Sequence, residues 1–190
     1  MKLQYKNIIP ESGRLGRLAR ILLEKAGVGI AQKVMQGYET FEAKSNLKQK
    51  AGWLRQMMQK MEQNCSPELC REVMQACGQK CCGINTRKAA LQLWKESASM
   101  ADFLKALNRR KIGGGRLLLQ NEHTITGGYD QCFCGQVKQT EEPFPNLAYC
   151  QCSAGWYKRL FETVLDRQVE VEITQSIIAG AKSCEFVIHI

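Results

Sequence analysis

Apolar residues recur at steps of mostly three and four through residues 14–36, where Leu15, Leu18, Ile21, Leu22, Ala26, Ile30 and Val34 mark one face. That period predicts an amphipathic helix, weakened near Gly27-Val28-Gly29. A second stripe, Trp53, Leu54, Met57, Met58 and Met61, predicts a helix over residues 47–61. Ser66-Pro67-Glu68 then offers a capping hydroxyl, a first-turn proline and an acid at the positive end of the helix dipole, so a third helix starts there. Leu69, Val73 and Met74 give its apolar positions, and Gly78 is the expected left-handed stop. Helical segments over 86–96 and 101–110 follow before Gly113-Gly114-Gly115 breaks the pattern.

After those glycines the period changes. Residues 116–120 read as a strand, and Gly127-Gly128 with Tyr129-Asp130 read as a turn into a second strand over 131–138. Residues 139–146, with Pro143 and Pro145, form a loop; 147–152 read as extended, and 153–165 as a helix with Trp156, Leu160, Phe161 and Val164 on one side. Val169, Val171 and Ile173 alternate with Glu170, Glu172 and Thr174, and Cys184, Phe186 and Ile188 alternate with Glu185, Val187 and His189. Turned at Gly180-Ala181-Lys182, these two runs predict an antiparallel hairpin with one buried face. The class is α+β: N-terminal helices followed by an antiparallel sheet with one helix packed on it. A helical, basic, cysteine-containing part covers 1–111 and an α+β part covers 112–190, expected to fold as one compact unit.

Composition narrows the function classes. With 44% hydrophobic residues, 24% charged residues and four prolines among 190, the chain can close an ordinary core and is not a disordered polyelectrolyte. No run approaches the roughly 20 apolar residues of a membrane span. Met1-Lys2-Leu3-Gln4-Tyr5-Lys6-Asn7 meets no apolar stretch and no small-residue cleavage site, so no secretory signal is expected and the cytoplasm is the expected location. The formal charge of +9 belongs to the N-terminal half: residues 1–50 hold ten basic and four acidic groups and 51–100 hold seven and four, whereas the rest is balanced. Arg14, Arg17, Arg20 and the Arg109-Arg110-Lys111 run read as solvated faces, because no aromatic residues interleave with them as on a single-strand binding surface. Nucleic acid is not the expected partner. The oligomeric state stays open, homo-oligomers included.

In a reducing compartment the ten cysteines read as buried hydrophobes, metal ligands or redox groups rather than structural disulfides. Cys132-Phe133-Cys134 and Cys150-Gln151-Cys152 each place two sulfurs on one side of an extended chain. If the two segments are neighbouring strands about 4.8 Å apart, four thiolates converge, a set that suits tetrahedral zinc first and an iron–sulfur cluster second. Buried unligated cysteines and a reversible dithiol are the other two readings of that set. Cys70 and Cys77 sit among apolar positions and read as core; Cys81 and Cys82, at the helix exit, are placed to complete a metal site or to react. Cys77 and Cys81 share a helix face only if the helix continues past Gly78. Cys184 reads as core. His123 and His189 have no serine partner that would form a triad, Glu170 and Glu172 read as a solvated edge rather than an acid–base pair, and the three glycines lack the lysine and hydroxyl of a phosphate loop.

The run Cys150-Gln151-Cys152-Ser153-Ala154-Gly155-Trp156, with Phe161-Glu162, Val169-Glu170-Val171-Glu172, Ser176-Ile177-Ile178-Ala179-Gly180 and Cys184-Glu185-Phe186, resembles the C-terminal pattern of the 4-vinyl reductase and L-2-amino-thiazoline-4-carboxylic acid hydrolase-like group. Within it the chain is most similar to uncharacterised bacterial cysteine-rich proteins. The likeness spans residues 129–190 well and 65–82 moderately. It implies a 4-vinyl-reductase-like ligand-binding fold, with helices and an antiparallel sheet enclosing a pocket for a small, often apolar molecule. In sensor relatives cysteines and a glutamate around the last hairpin hold zinc. Cys184 matches the final ligand position here, while Ser176 replaces the preceding cysteine and Glu172 is one residue out of step.

Three functions follow as expectations. The first is a small-molecule-binding protein of the sensory kind whose small organic ligand meets Trp156, Phe161, Phe186 and Ile188, with Cys132, Cys134, Cys150 and Cys152 as zinc ligands at the rim. The second is a hydrolase of a small cyclic amide or thiazoline, which needs a zinc with an open position. The third is a partner- or nucleic-acid-binding module that uses the basic helices.

Overall fold

A computed structural model describes residues 9–43 and 46–190. The N-terminal heptapeptide read above as carrying no secretory signal lies outside the described residues. Eight helices and four strands follow one another among those described. They are α1 (Gly13–Ala26), α2 (Val28–Met35), α3 (Tyr38–Ala43), α4 (Leu47–Asn64), α5 (Pro67–Cys81), α6 (Ile84–Lys95), α7 (Met100–Arg109), β1 (Leu118–Asn121), β2 (Thr124–Tyr129), α8 (Gln151–Leu165), β3 (Glu170–Gln175) and β4 (Cys184–His189). The architecture is α+β, with one antiparallel sheet ordered β1-β2-β4-β3.

Helix ends follow local chemistry. Gly27 takes φ 83°, so the single helix expected over 14–36 is two, α1 and α2, with the chain turned between them. Ser66 caps α5 by accepting from the Leu69 amide at 3.2 Å, with Pro67 in the first turn. Ser99 caps α7 the same way through the Asp102 amide. Gly78 does not stop α5. The helix runs on to Cys81, because Gly78 is buried in mid-helix where another backbone lies too close for any side chain.

The terminal hairpin has the expected register, Val171 opposite Ile188 and Ile173 opposite Phe186, with those four residues buried and Glu170 and Glu172 exposed. Glu172 is paired with His189 at 3.1 Å. Three assignments are corrected. Gly127 and Gly128 lie inside β2, opposite Phe186 and Glu185, rather than in a turn; the turn is at Glu122–His123. The backbone of Gly128 is crowded by Cys184 and that of Gly127 by Leu117, so glycine here serves close approach. Residues 131–138 form no strand: the β2–β4 ladder ends at Tyr129 opposite Cys184, the first residue of β4, and nothing remains to pair with. The chain instead turns at Cys134, whose carbonyl accepts from Val137 and Lys138 at 3.1 and 3.0 Å. Residues 147–152 are not extended either; they turn directly into α8.

α5 and α8 make the most extensive contact between helices, and they belong to the two parts into which the sequence divides at residue 111. The core runs from Met57, Met58 and Met61 of α4 through Val73 and Met74 of α5 to Leu160 and Phe161 of α8 and Phe186 and Ile188 of β4. Among the described residues no helix is long and apolar enough to cross a membrane.

Candidate thiolate site and cavity

The site begins with two glycines. A Cβ on Gly78 would fall inside the Cys152 carbonyl, and one on Gly155 inside the Gln75 carbonyl, so α5 and α8 cross backbone to backbone. Gln75 Nε2 donates to Gln151 Oε1 at 3.0 Å beside the crossing. Because α5 continues through Gly78, Cys77 and Cys81 share one face, and the crossing sets Cys152 of α8 against it. The three thiols line one small void and interact with one another electrostatically. From α1, Arg17 Nη1 donates to Cys81 Sγ at 3.0 Å.

Within that cluster the surroundings favour the charged form at Cys81 and the neutral form at Cys77 and Cys152. Hydrogen bonds from Cys152 and then Cys77, followed by the field of Arg17 and Arg14, pull the Cys81 thiol far below its ordinary value against the opposing effect of burial. Cys152, hydrogen-bonded to Cys77 and Cys81 and buried, is driven up. Cys77, which donates toward Cys81 and is also buried, is held up as well. A thiolate held by an arginine is the form in which cysteine acts as a nucleophile.

The four thiols expected on adjacent strands are distributed otherwise, since neither segment is a strand. Cys152 belongs to the cluster with Cys77 and Cys81. Cys150 caps the start of α8 and meets Ser176 Oγ at 2.9 Å, beside Cys184 Sγ at 3.9 Å from the same hydroxyl. Cys134 meets the Tyr149 hydroxyl at 3.4 Å. Burial raises Cys132 to about 11 and Cys150 to about 12, which favours thiols over ligating thiolates. Among the described residues no group of three or more His, Cys, Asp or Glu is placed to hold a metal ion.

Beside Cys81 lies a cavity of about 460 Å³ between α1, the glycine turn 112–115, β2 and α8. Tyr129, Phe133, Trp156 and Tyr157 supply its aromatic surface, Cys81 and Cys152 part of its floor, and Arg14 and Lys111 its cations; no acidic residue lines it. Tyr157 donates to the Gly113 carbonyl at 2.8 Å, and the Tyr129 hydroxyl meets Ser153 Oγ at 2.9 Å, so both rings are fixed. Burial raises both phenols, which stay neutral. Phe133 is 59% exposed and forms the rim. Lys111 takes φ 54°, a left-handed conformation that ends α7 and turns the chain toward the cavity.

Of the four expected wall residues, Trp156 lines this cavity. Phe161 lies in the core against Phe103, with ring centroids 6.4 Å apart, and Phe186 and Ile188 are buried beneath the sheet face, Phe186 under the Tyr157 ring at 4.8 Å. Helical geometry separates positions 156 and 161 by about 140°, which is why one ring faces the cavity and the other the core. Arg17, expected on a solvated face, reaches Cys81, and Tyr129, expected in a turn, lines the cavity; Tyr157 and the meeting of Cys81 with Cys152 have no signal in the sequence pattern.

The chain belongs to a family of unknown function, DUF6144, whose pattern matches residues 18–190. No curated protein matches it. Among solved structures it is similar to trafficking protein particle complex subunit 3 from Naegleria fowleri, a protein crystallised covalently bound to palmitic acid. The TM-score is 0.50 and the identity 15%, over 76% of this chain and 94% of that one, a likeness of fold.

Proposed function

We propose that this chain binds a small organic anion with an apolar, partly aromatic body in the cavity beside Cys81. The observation that carries the reading is the lining: four aromatic rings, two cations and no carboxylate around about 460 Å³, a volume within the range of small-ligand pockets. The rings take the body of the ligand, and Arg14 and Lys111 take its acid group through charge-assisted hydrogen bonds. The subunit of similar fold that holds palmitic acid covalently gives the reading a parallel in an acid-derived ligand.

Calorimetric titration tests it. 2-Naphthoate and dodecanoate should bind, whereas 2-naphthalenemethanol and dodecanol should bind at least tenfold more weakly, since losing a charged hydrogen bond costs about 1.5–3 kcal/mol. Equal affinity for acid and alcohol would refute the assignment. Lys111→Gly should separate two effects. It relieves a left-handed lysine and should stabilise the fold by about 0.5–1 kcal/mol in urea unfolding, while weakening carboxylate binding roughly tenfold.

A further inference from the structure

We propose that Cys81 is a site of oxidation by hydroperoxides and that Cys152 resolves it into a disulfide across the α5–α8 crossing. Four observations meet there. Arg17 Nη1 sits 3.0 Å from Cys81 Sγ, a cation placed to hold the attacking sulfur ionised and to bind the departing oxygen. Cys152 lines the same cavity from a different helix and interacts with that sulfur, which is the arrangement a resolving thiol needs. Both cysteines line the cavity, so a small oxidant reaches them. The backbone contact at Gly78 and Gly155 fixes the two helices at the close range a disulfide requires. The charge distribution agrees: Cys81 is the ionised member and Cys152 the protonated one.

The steps balance. The Cys81 thiolate attacks the distal oxygen of ROOH; the O–O bond breaks, sulfur is oxidised to the sulfenate, and the alkoxide leaves and takes up a proton as ROH. The sulfenate is protonated. Cys152 sulfur then attacks Cys81 sulfur, the S–O bond breaks, and the Cys152 proton leaves with the hydroxyl as water. The net change is two thiols and one peroxide to one disulfide, one alcohol and one water. Cys77 shares the α5 face with Cys81, so the two Cα–Cβ bonds run parallel, whereas Cys152 approaches from the facing helix. The other hydrogen-bonded thiol pair, Cys65 with Cys70, has no arginine on sulfur, and burial raises Cys70 to about 11, so it reacts slowly.

The test uses the full chain, reduced and then treated with one equivalent of hydrogen peroxide at pH 7, with peptide mapping under non-reducing conditions. The expected first product is a Cys81–Cys152 cross-link formed at least about tenfold faster than any loss of Cys65 or Cys70. Cys152→Ser should trap a sulfenic acid on Cys81 that reacts with a 1,3-dione. Arg17→Gln should slow the reaction and Arg17→Lys restore part of the rate. A first disulfide elsewhere, or consumption of peroxide with Cys81 still reduced, would overturn the proposal. The wild-type map alone decides it if either variant fails to fold.

Discussion

Gly155→Ala should destabilise the protein by about 3 kcal/mol, and Gly155→Val should prevent folding, although alanine in a helix interior normally gains about 1 kcal/mol over glycine. The sign is set by what the new methyl meets. It would overlap the Gln75 carbonyl, a backbone group that cannot rotate away, so α5 and α8 must separate along their whole contact. Gly78→Ala meets the Cys152 carbonyl and should behave alike. Both methyls wedge the same crossing, so the double mutant should cost clearly less than the sum of the singles. Urea unfolding of the three variants checks this; a neutral or stabilised Gly155→Ala would show that the helices do not meet backbone to backbone.

Alkylation of Cys81 by iodoacetamide should be nearly independent of pH between 8 and 6, while an ordinary thiol with a pKa near 8.5 slows roughly 80-fold over that range. Cys152, Cys77 and the Arg17 guanidinium, whose Nη1 donates to the sulfur, favour the thiolate there. Arg17→Leu should therefore restore a steep pH dependence at this one cysteine. Stability carries the same signature. In the acid-to-neutral range the unfolded chain binds one more proton at these three cysteines than the native one, because native Cys81 is ionised and its depressed value gives stability that is lost as pH falls through it. Above the unfolded thiol pKa the balance reverses, because native Cys77 and Cys152 keep protons the unfolded chain has released. The cluster's contribution should therefore peak near pH 8.5.

Much of the fold was legible from period alone. The stripe of α4, the Ser66-Pro67-Glu68 start of α5 and the alternation of β3 and β4 all report burial by a face, and one face is what a helix or hairpin must hide. Three of the failures share one cause, glycine read as local punctuation. Gly78 and Gly128 are each demanded by a distant backbone and Gly127 by the Leu117 side chain, which a single chain does not display. Misreading Gly78 as a stop also hid the site, for it cut Cys81 off from the face it shares with Cys77. Cys152 was assigned to a strand because Cys-x-Cys suits one, yet the same residues open a helix whose Gly155, three places on, must meet α5. Arg17 was legible only as part of a basic stripe; its partner is 64 residues away.

The central claim is that the Cys81 thiolate and the aromatic, cationic cavity form one binding site. The most direct measurement is the rate of Cys81 carbamidomethylation at pH 6.5, located by peptide mass spectrometry, as 2-naphthoate is titrated in. The rate should fall at least about tenfold, with a midpoint equal to the calorimetric dissociation constant, while alkylation of exposed sites elsewhere is unchanged. An unaltered Cys81 rate under conditions where 2-naphthoate is bound would contradict the claim.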